Sequence, residues 1–271
     1  MTIKVVLAGC GNMGYAMLAG WLQSAKLYPG EVFVVEPNAE LRHRAETLGV
    51  AAAGAVSEAP GDLVPTLVIF AVKPQVIRDV VEGYRRFSDG RTAFLSVAAG
   101  TPIAAFEEIL GKKVPIIRCM PNTPAAIGKG MMVVVGNARV SADTRAFVDD
   151  LLSASGKVAG IDDEGLMDAV TAVSGSGPAY IFHFIECLTA AGEKAGLPSP
   201  TAKLLAMQTV YGAAALAAES GEDPARLREQ VTSPNGTTAA ALSVLMGEDR
   251  LKTLLTEAVE AARNRSVELG K

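Results

Sequence analysis

The chain has 271 residues, 49% of them hydrophobic and 20% charged, which is enough apolar material for one large folded domain or two ordinary ones. Its formal net charge of −4 and the lack of any basic stripe argue against a polyanionic partner, so nucleic-acid binding is not expected. The three cysteines, Cys10, Cys119 and Cys187, are scattered and form no CxxC, and with two histidines they are too sparse for a metal site.

The N-terminus lacks the charged start, apolar stretch and cleavage site of a signal peptide, and no run of about 18 apolar residues suggests a membrane span. A soluble protein of the reducing cytoplasm is expected. Aromatic residues make up only 5% while Ala and Gly abound, which predicts close helix packing in place of aromatic clusters.

Residues 3–8 form a continuous apolar run, the pattern of a strand buried on both faces as in a parallel sheet. Gly9, Gly11 and Gly14 follow at once, then helical spacing over 13–22. Further apolar runs at Val32–Val35, 67–72, 93–97, 114–118 and 131–135 alternate with helical stretches at 39–48, 77–84 and 103–110. Thr101 is the expected N-cap of the last of these, with Pro102 at its first position. This alternation predicts a doubly wound α/β sheet over residues 1–163. Beyond Asp163 no strand is convincing, and residues 164–271 are expected to form an all-helical second domain. One long helix is read over 167–195, broken around 175–178. Others follow at 201–219, from Pro224 with Asp223 as its cap, at 238–246 and at Arg250–Leu269. The Ala- and Leu-rich stretch at 213–218 must be central in its domain or buried against another subunit.

Several segments carry chemistry. In G-C-G-N-M-G, Gly9 permits a tight turn and Gly11 lets the backbone approach a pyrophosphate. Gly14 lets helix pack on strand, and the helix start at Asn12 and Met13 offers free amides to phosphate. Glu36 ends the second run about 20 residues on, where a carboxylate accepts from ribose hydroxyls and repels a 2′-phosphate. It therefore favours NADH over NADPH. Arg42 and Arg44 downstream could pair with a phosphate, but a solvated helix face is the simpler expectation. A-V-K-P, Ala71, Val72, Lys73 and Pro74, ends a strand at the ligand edge of such a sheet. P-N-T-P, with Asn122, suits a site floor near the nicotinamide.

In the helical part, S-G-S-G-P-A-Y places residues that helix interiors disfavour inside an apolar helical run, which marks a kink, a close contact or a site. T-S-P-N-G-T-T connects two helices and offers Ser233, Gly236, Thr237 and Thr238 as a carboxylate receptor. Ordinary turn chemistry is the alternative for both. His183 reads as a core or interface residue and His43 as exposed. Neither has the partners of a hydrolytic triad.

Taken in order, G-C-G-N-M-G, A-V-K-P, R-C-M-P-N-T-P, S-G-S-G-P-A-Y and P-A-R-L-R-E-Q-V-T-S-P-N-G-T-T resemble the pyrroline-5-carboxylate reductase family over essentially the whole chain. The resemblance implies a Rossmann-type domain followed by a helical dimerisation domain, with dimers built into a higher oligomer such as a decamer. It implies hydride transfer from NAD(P)H to L-1-pyrroline-5-carboxylate, giving L-proline, with Thr238 at the ring nitrogen and the signature loop supplied by a partner subunit. Two positions depart from the family pattern. Asn235 stands where many relatives carry Gly, and Glu36 where small or hydroxyl residues are common. Two other readings share parts of this pattern. A β-hydroxy-acid dehydrogenase would need a lysine on the first helix of the second domain, where only Lys194 occurs, near the helix end. A non-catalytic dinucleotide sensor would need the glycine turn but not the hydroxyl-rich loop.

Overall fold

The computed structural model describes residues 2–270. By contacts the chain divides into two compact units, Met1–Ser176 with Ala262–Lys271, and Gly177–Ala261. The strand-bearing sequence ends earlier, at Gly160.

The first unit holds an eight-stranded sheet of β1 (Val5–Ala8), β2 (Val32–Val35), β3 (Ala51–Ala53), β4 (Leu67–Phe70), β5 (Ala93–Ser96), β6 (Ile116–Met120), β7 (Gly130–Gly136) and β8 (Gly156–Gly160). Their spatial order is β3-β2-β1-β4-β5-β6-β7-β8. Neighbours run parallel except β6 and β7, where Ile117 faces Gly136 in an antiparallel register. Every residue of β1, β2, β4 and β5 is buried, as the unbroken apolar runs require when helices cover both faces. The unit's helices are α1 (Asn12–Gln23), α2 (Ala39–Glu46), α3 (Ile77–Glu82), α4 (Ile103–Leu110), α5 (Ala142–Ser153) and α6 (Met167–Val170).

A separate core lies on each face. On one, Met17, Leu18 and Trp21 of α1 meet Val148, Leu151 and Leu152 of α5. The other departs from the expectation of an aromatic-poor interior. Phe70 stacks on Phe94 and Phe106 at 6.1 and 6.0 Å and meets Tyr84 edge-on at 5.1 Å. The few aromatic residues have been concentrated where they bury the most area per side chain.

The start of α4 also differs from expectation. Thr101 is not its cap: Pro102 occupies that position, and Ile103 is the first helical residue. Its amide donates instead to Glu164 Oε1 at 2.8 Å, and the same oxygen accepts from Arg118 Nη1 at 2.6 Å. A carboxylate distant in sequence thus does the work of a local cap and complements the helix dipole.

The second unit is helical, with α7 (Gly177–Lys194), α8 (Ser199–Ser220), α9 (Pro224–Gln230), α10 (Thr237–Met246) and most of α11 (Arg250–Leu269). Asp223 caps α9 as expected, accepting from the Ala225 amide at 2.8 Å. The break read in the first long helix is a π-turn at Thr171–Gly175. Within the single chain α8 buries only Ala202 and Ala206, while Leu204 and Tyr211 are 66% and 68% exposed. Of the two environments open to the Ala- and Leu-rich stretch, burial inside its own unit is thereby removed. Among the described residues no helix is long and apolar enough to cross a membrane.

Candidate active site

Strand β1 pairs with β2 on one side and β4 on the other, so the chain leaves it in opposite directions and opens a crevice at the carboxyl ends. The glycine turn sits there. Gly9 has φ +90°, and a Cβ on it would lie 2.8 Å from the Ala71 carbonyl oxygen. A Cβ on Gly14 would come within 2.3 Å of the Gly9 carbonyl oxygen, so helix and turn can pack only with hydrogen at that position. Gly11 behaves differently, because a Cβ there would meet nothing within 4 Å. Its open side is the side from which a ligand can reach the backbone. Gly11 is also the N-cap of α1 with no side-chain cap, which leaves first-turn amides, those of Asn12 and Met13 among them, for an anion.

A crevice of about 460 Å³ follows from this layout, lined by Gly9, Gly11, Glu36, Ala71, Val72 and Lys73. Leu41, Val56 and Val80 supply apolar lining. Uncapped helix amides beside apolar surface suit a dinucleotide: phosphates at the turn, a flat ring between aliphatic side chains. Not every expected cofactor residue lines this crevice. Asn12 and Met13 border a separate groove along α1, and Pro74 opens onto a neighbouring cavity with Gly100 and Thr101.

Glu36 is only 6% exposed. Its Oε2 accepts from the Cys10 amide at 2.7 Å and its Oε1 from the Asn38 amide at 2.9 Å, so the carboxylate is part of the turn's own framework. The expectation of a solvated face for Arg42 and Arg44 is not met. Arg42 Nη1 donates to the Glu36 carbonyl at 2.8 Å. Arg44 lies 4.0 Å over the Tyr15 ring, and its Nη2 reaches the carbonyls of Cys10 and Gly11 at 3.1 and 3.3 Å. Both are drawn onto backbone carbonyls at the end of the second strand and in the glycine turn. Burial pushes the Cys10 thiol up to about 11; Arg44 opposes the rise and Glu36 adds to it. Burial likewise raises Cys119.

Asn122 spends its side-chain amide on the backbone. Its Oδ1 accepts from the Met131 amide at 2.8 Å, and its Nδ2 donates to the Ser174 carbonyl at 3.2 Å. The P-N-T-P loop is thereby tied to the π-turn. A Cβ on Gly175 would sit 2.4 Å from Met120 Cε, so this glycine marks a close contact, one of the outcomes expected for S-G-S-G-P.

In the second unit, the signature loop leads into α10. Asn235 adopts φ 60°, the left-handed conformation that Asn accepts more readily than other non-glycine residues. The Gly236 amide donates to the Ser233 carbonyl at 3.1 Å, so that donor belongs to the turn and not to a ligand. Gly236 caps α10 without a side-chain hydrogen bond, which leaves the amides of Thr237 and Thr238 at the first turn. Ser233 packs under Gly236, where a Cβ would meet its Oγ at 2.5 Å. His183 and His43 are both exposed on the single chain, beside Glu186 and Glu46.

Sequence reasoning missed Leu41, Gly54, Val56 and Val80. Gly54 and Val56 follow β3, a three-alanine strand too short and too featureless to register.

Comparison with known proteins agrees with this geometry. A family model described as "Pyrroline-5-carboxylate reductase dimerisation" matches residues 164–269, and one described as "NADP oxidoreductase coenzyme F420-dependent" matches residues 4–100. The chain is 41% identical over 273 residues to a pyrroline-5-carboxylate reductase of Pseudomonas aeruginosa, covering 100% of this chain and 98% of that one. A solved structure of a pyrroline-5-carboxylate reductase from Coxiella burnetii superposes with a TM-score of 0.94 at 34% identity, covering 100% of both chains. The Plasmodium falciparum pyrroline carboxylate reductase with NADP bound gives 0.85 at 29% identity, covering 99% and 98%.

Proposed function

The chain belongs to the pyrroline-5-carboxylate reductase family, and from that membership we propose how its own residues carry the reaction. It is an NAD(P)H-dependent oxidoreductase that reduces L-1-pyrroline-5-carboxylate to L-proline, the closing step of proline biosynthesis. A bound reduced nicotinamide supplies the hydride. A protonated cyclic imine draws hydride to the carbon beside its positive nitrogen, so the protein needs to hold the ring and steady that charge more than it needs a strong acid. Thr237 and Thr238 hold the substrate carboxylate through their first-turn amides, with Ser233 and Gly236 shaping the turn beneath. The Thr238 hydroxyl bonds the ring nitrogen. Rate enhancement then comes mainly from proximity and orientation.

The carrying observation is the uncapped start of α10 at Gly236, which leaves the Thr237 and Thr238 amides beside a hydroxyl. Glu36 at the end of β2 favours NADH, since a buried carboxylate repels a 2′-phosphate. The signature loop serves a nicotinamide held by the partner subunit, in a cytoplasmic dimer that assembles further, a decamer being one such form. Oxidation of NADH and of NADPH in the presence of pyrroline-5-carboxylate tests activity and preference together. Thr238→Ala should lower kcat by roughly ten- to a hundredfold, the range of one transition-state hydrogen bond, with cofactor Kd unchanged. Wild-type kinetics in that variant would remove Thr238 from the mechanism.

A further inference from the structure

We propose that Arg44 is a positioning residue for the cofactor: it sets the direction in which the glycine turn points its amides. The inference rests on reading that turn as the seat of the cofactor's pyrophosphate. Arg44 lies outside the glycine motif, on α2, and its charge would ordinarily be assigned to solvent or to a phosphate. Its contacts say otherwise. The guanidinium stacks on Tyr15 at 4.0 Å, and its Nη2 donates to the carbonyls of Cys10 and Gly11.

Peptide geometry turns those two hydrogen bonds into a statement about the amides. A trans peptide is planar, with its N–H pointing opposite to its C=O, and the described chain has no cis bond. Drawing the Cys10 carbonyl toward Arg44 therefore aims the Gly11 N–H the other way. Drawing in the Gly11 carbonyl does the same for the Asn12 N–H. The Gly11 carbonyl also accepts from the Tyr15 amide at 2.9 Å, so the helix and the arginine hold it together. On the preceding peptide plane, Glu36 Oε2 captures the Cys10 amide at 2.7 Å. Three successive planes are thus fixed from outside the motif, and Gly11 itself is open beside them, since a Cβ there would touch nothing.

This placement also separates Arg44 from the task of reading a 2′-phosphate. A side chain committed to two backbone carbonyls and stacked on a ring acts on the pyrophosphate end, which NADH and NADPH share. Selectivity should therefore be untouched while affinity for both falls.

The test compares Arg44→Met, Arg44→Lys and Gly11→Val in the full-length enzyme, reading NADH and NADPH Kd by fluorescence titration and both kinetic constants by turnover. Arg44→Met should raise Kd and KM for both cofactors alike by roughly tenfold, the size of one charge-assisted hydrogen bond, while kcat moves by no more than about twofold. Arg44→Lys keeps the cation but lacks the planar fork, so it should weaken both cofactors to an intermediate degree. Weakening of NADPH alone would make Arg44 a phosphate reader and overturn the proposal. So would a fall in kcat with both Kd values unchanged. Should the Met variant fail to fold, wild-type affinity in Arg44→Lys overturns it, because charge alone would then suffice. Full cofactor binding by Gly11→Val would remove the pyrophosphate seat itself and the inference with it. Loss of binding there, beside an unaffected Arg44→Met, would leave the seat standing and sink only the arginine.

Discussion

Glu36 occupies a position where one side chain answers to two demands. Its oxygens hold the Cys10 and Asn38 amides, and in the proposed cofactor reading its charge also opposes a 2′-phosphate. Glu36→Ser should therefore raise the NADPH-to-NADH ratio of kcat/KM by roughly tenfold as the repulsion disappears. It should also cost about 1–3 kcal/mol of stability, because the Cys10 amide loses its acceptor. Parallel kinetics and urea titration would separate the two effects. The thiol of Cys10 gives a pH prediction. Its pKa rises on folding from 9.0 to about 11, so the folded chain binds the proton more tightly than the unfolded one. That contribution is complete below pH 9 and is lost as pH climbs through about 11. The urea midpoint should fall over that window, and Cys10→Ala should remove part of the fall. At this scale the sequence was legible where a residue's role is local: Gly9 makes the tight turn and Gly14 the close helix packing that their spacing implies, and Gly11 is left open. Arg44 and Asn122 were not legible, since their contacts are with backbone distant in sequence, and no local pattern records a carbonyl presented by a fold not yet seen.

Elements were readable in proportion to how strongly their surroundings shape their composition. Strands β1, β2, β4 and β5, buried at every residue, left unbroken apolar runs. Strand β3 is three alanines, and β8 begins and ends in glycine with a lysine between, so neither carries a burial signal. The reversal at β7 follows a short 3-10 turn that looks like any other loop in the sequence. The start of α4 was misplaced by one residue for a related reason, its acceptor being Glu164. Glu164→Ala removes that acceptor and the partner of Arg118, whose side chain is 11% exposed. The variant should lose about 2–4 kcal/mol, the cost of an uncapped helix start plus a mostly buried cation left unpaired. Chemical denaturation would measure it, and a loss under about 0.5 kcal/mol, the range of ordinary surface substitutions, would deny the junction its structural weight.

For the whole molecule, apolar side chains such as Phe182, Leu204 and Tyr211 stand exposed on the single chain, on helices matched by a dimerisation family. Stability of the helical unit should therefore depend on protein concentration, the urea midpoint rising with each tenfold increase in chain. A midpoint constant over a wide dilution series would mean that the unit stands alone. Tyr211→Lys should shift the enzyme toward smaller species by sedimentation. The course of the chain has one further consequence. The helical unit is bracketed by Met1–Ser176 and Ala262–Lys271, so it is an insertion spliced into its host at two covalent seams. A protease that cuts once anywhere in that insertion severs the polypeptide yet frees neither fragment, since each stump is still rooted in the same nucleotide-binding body. Excising it intact takes two cuts, and a permuted gene that opens inside the insertion would keep both roots.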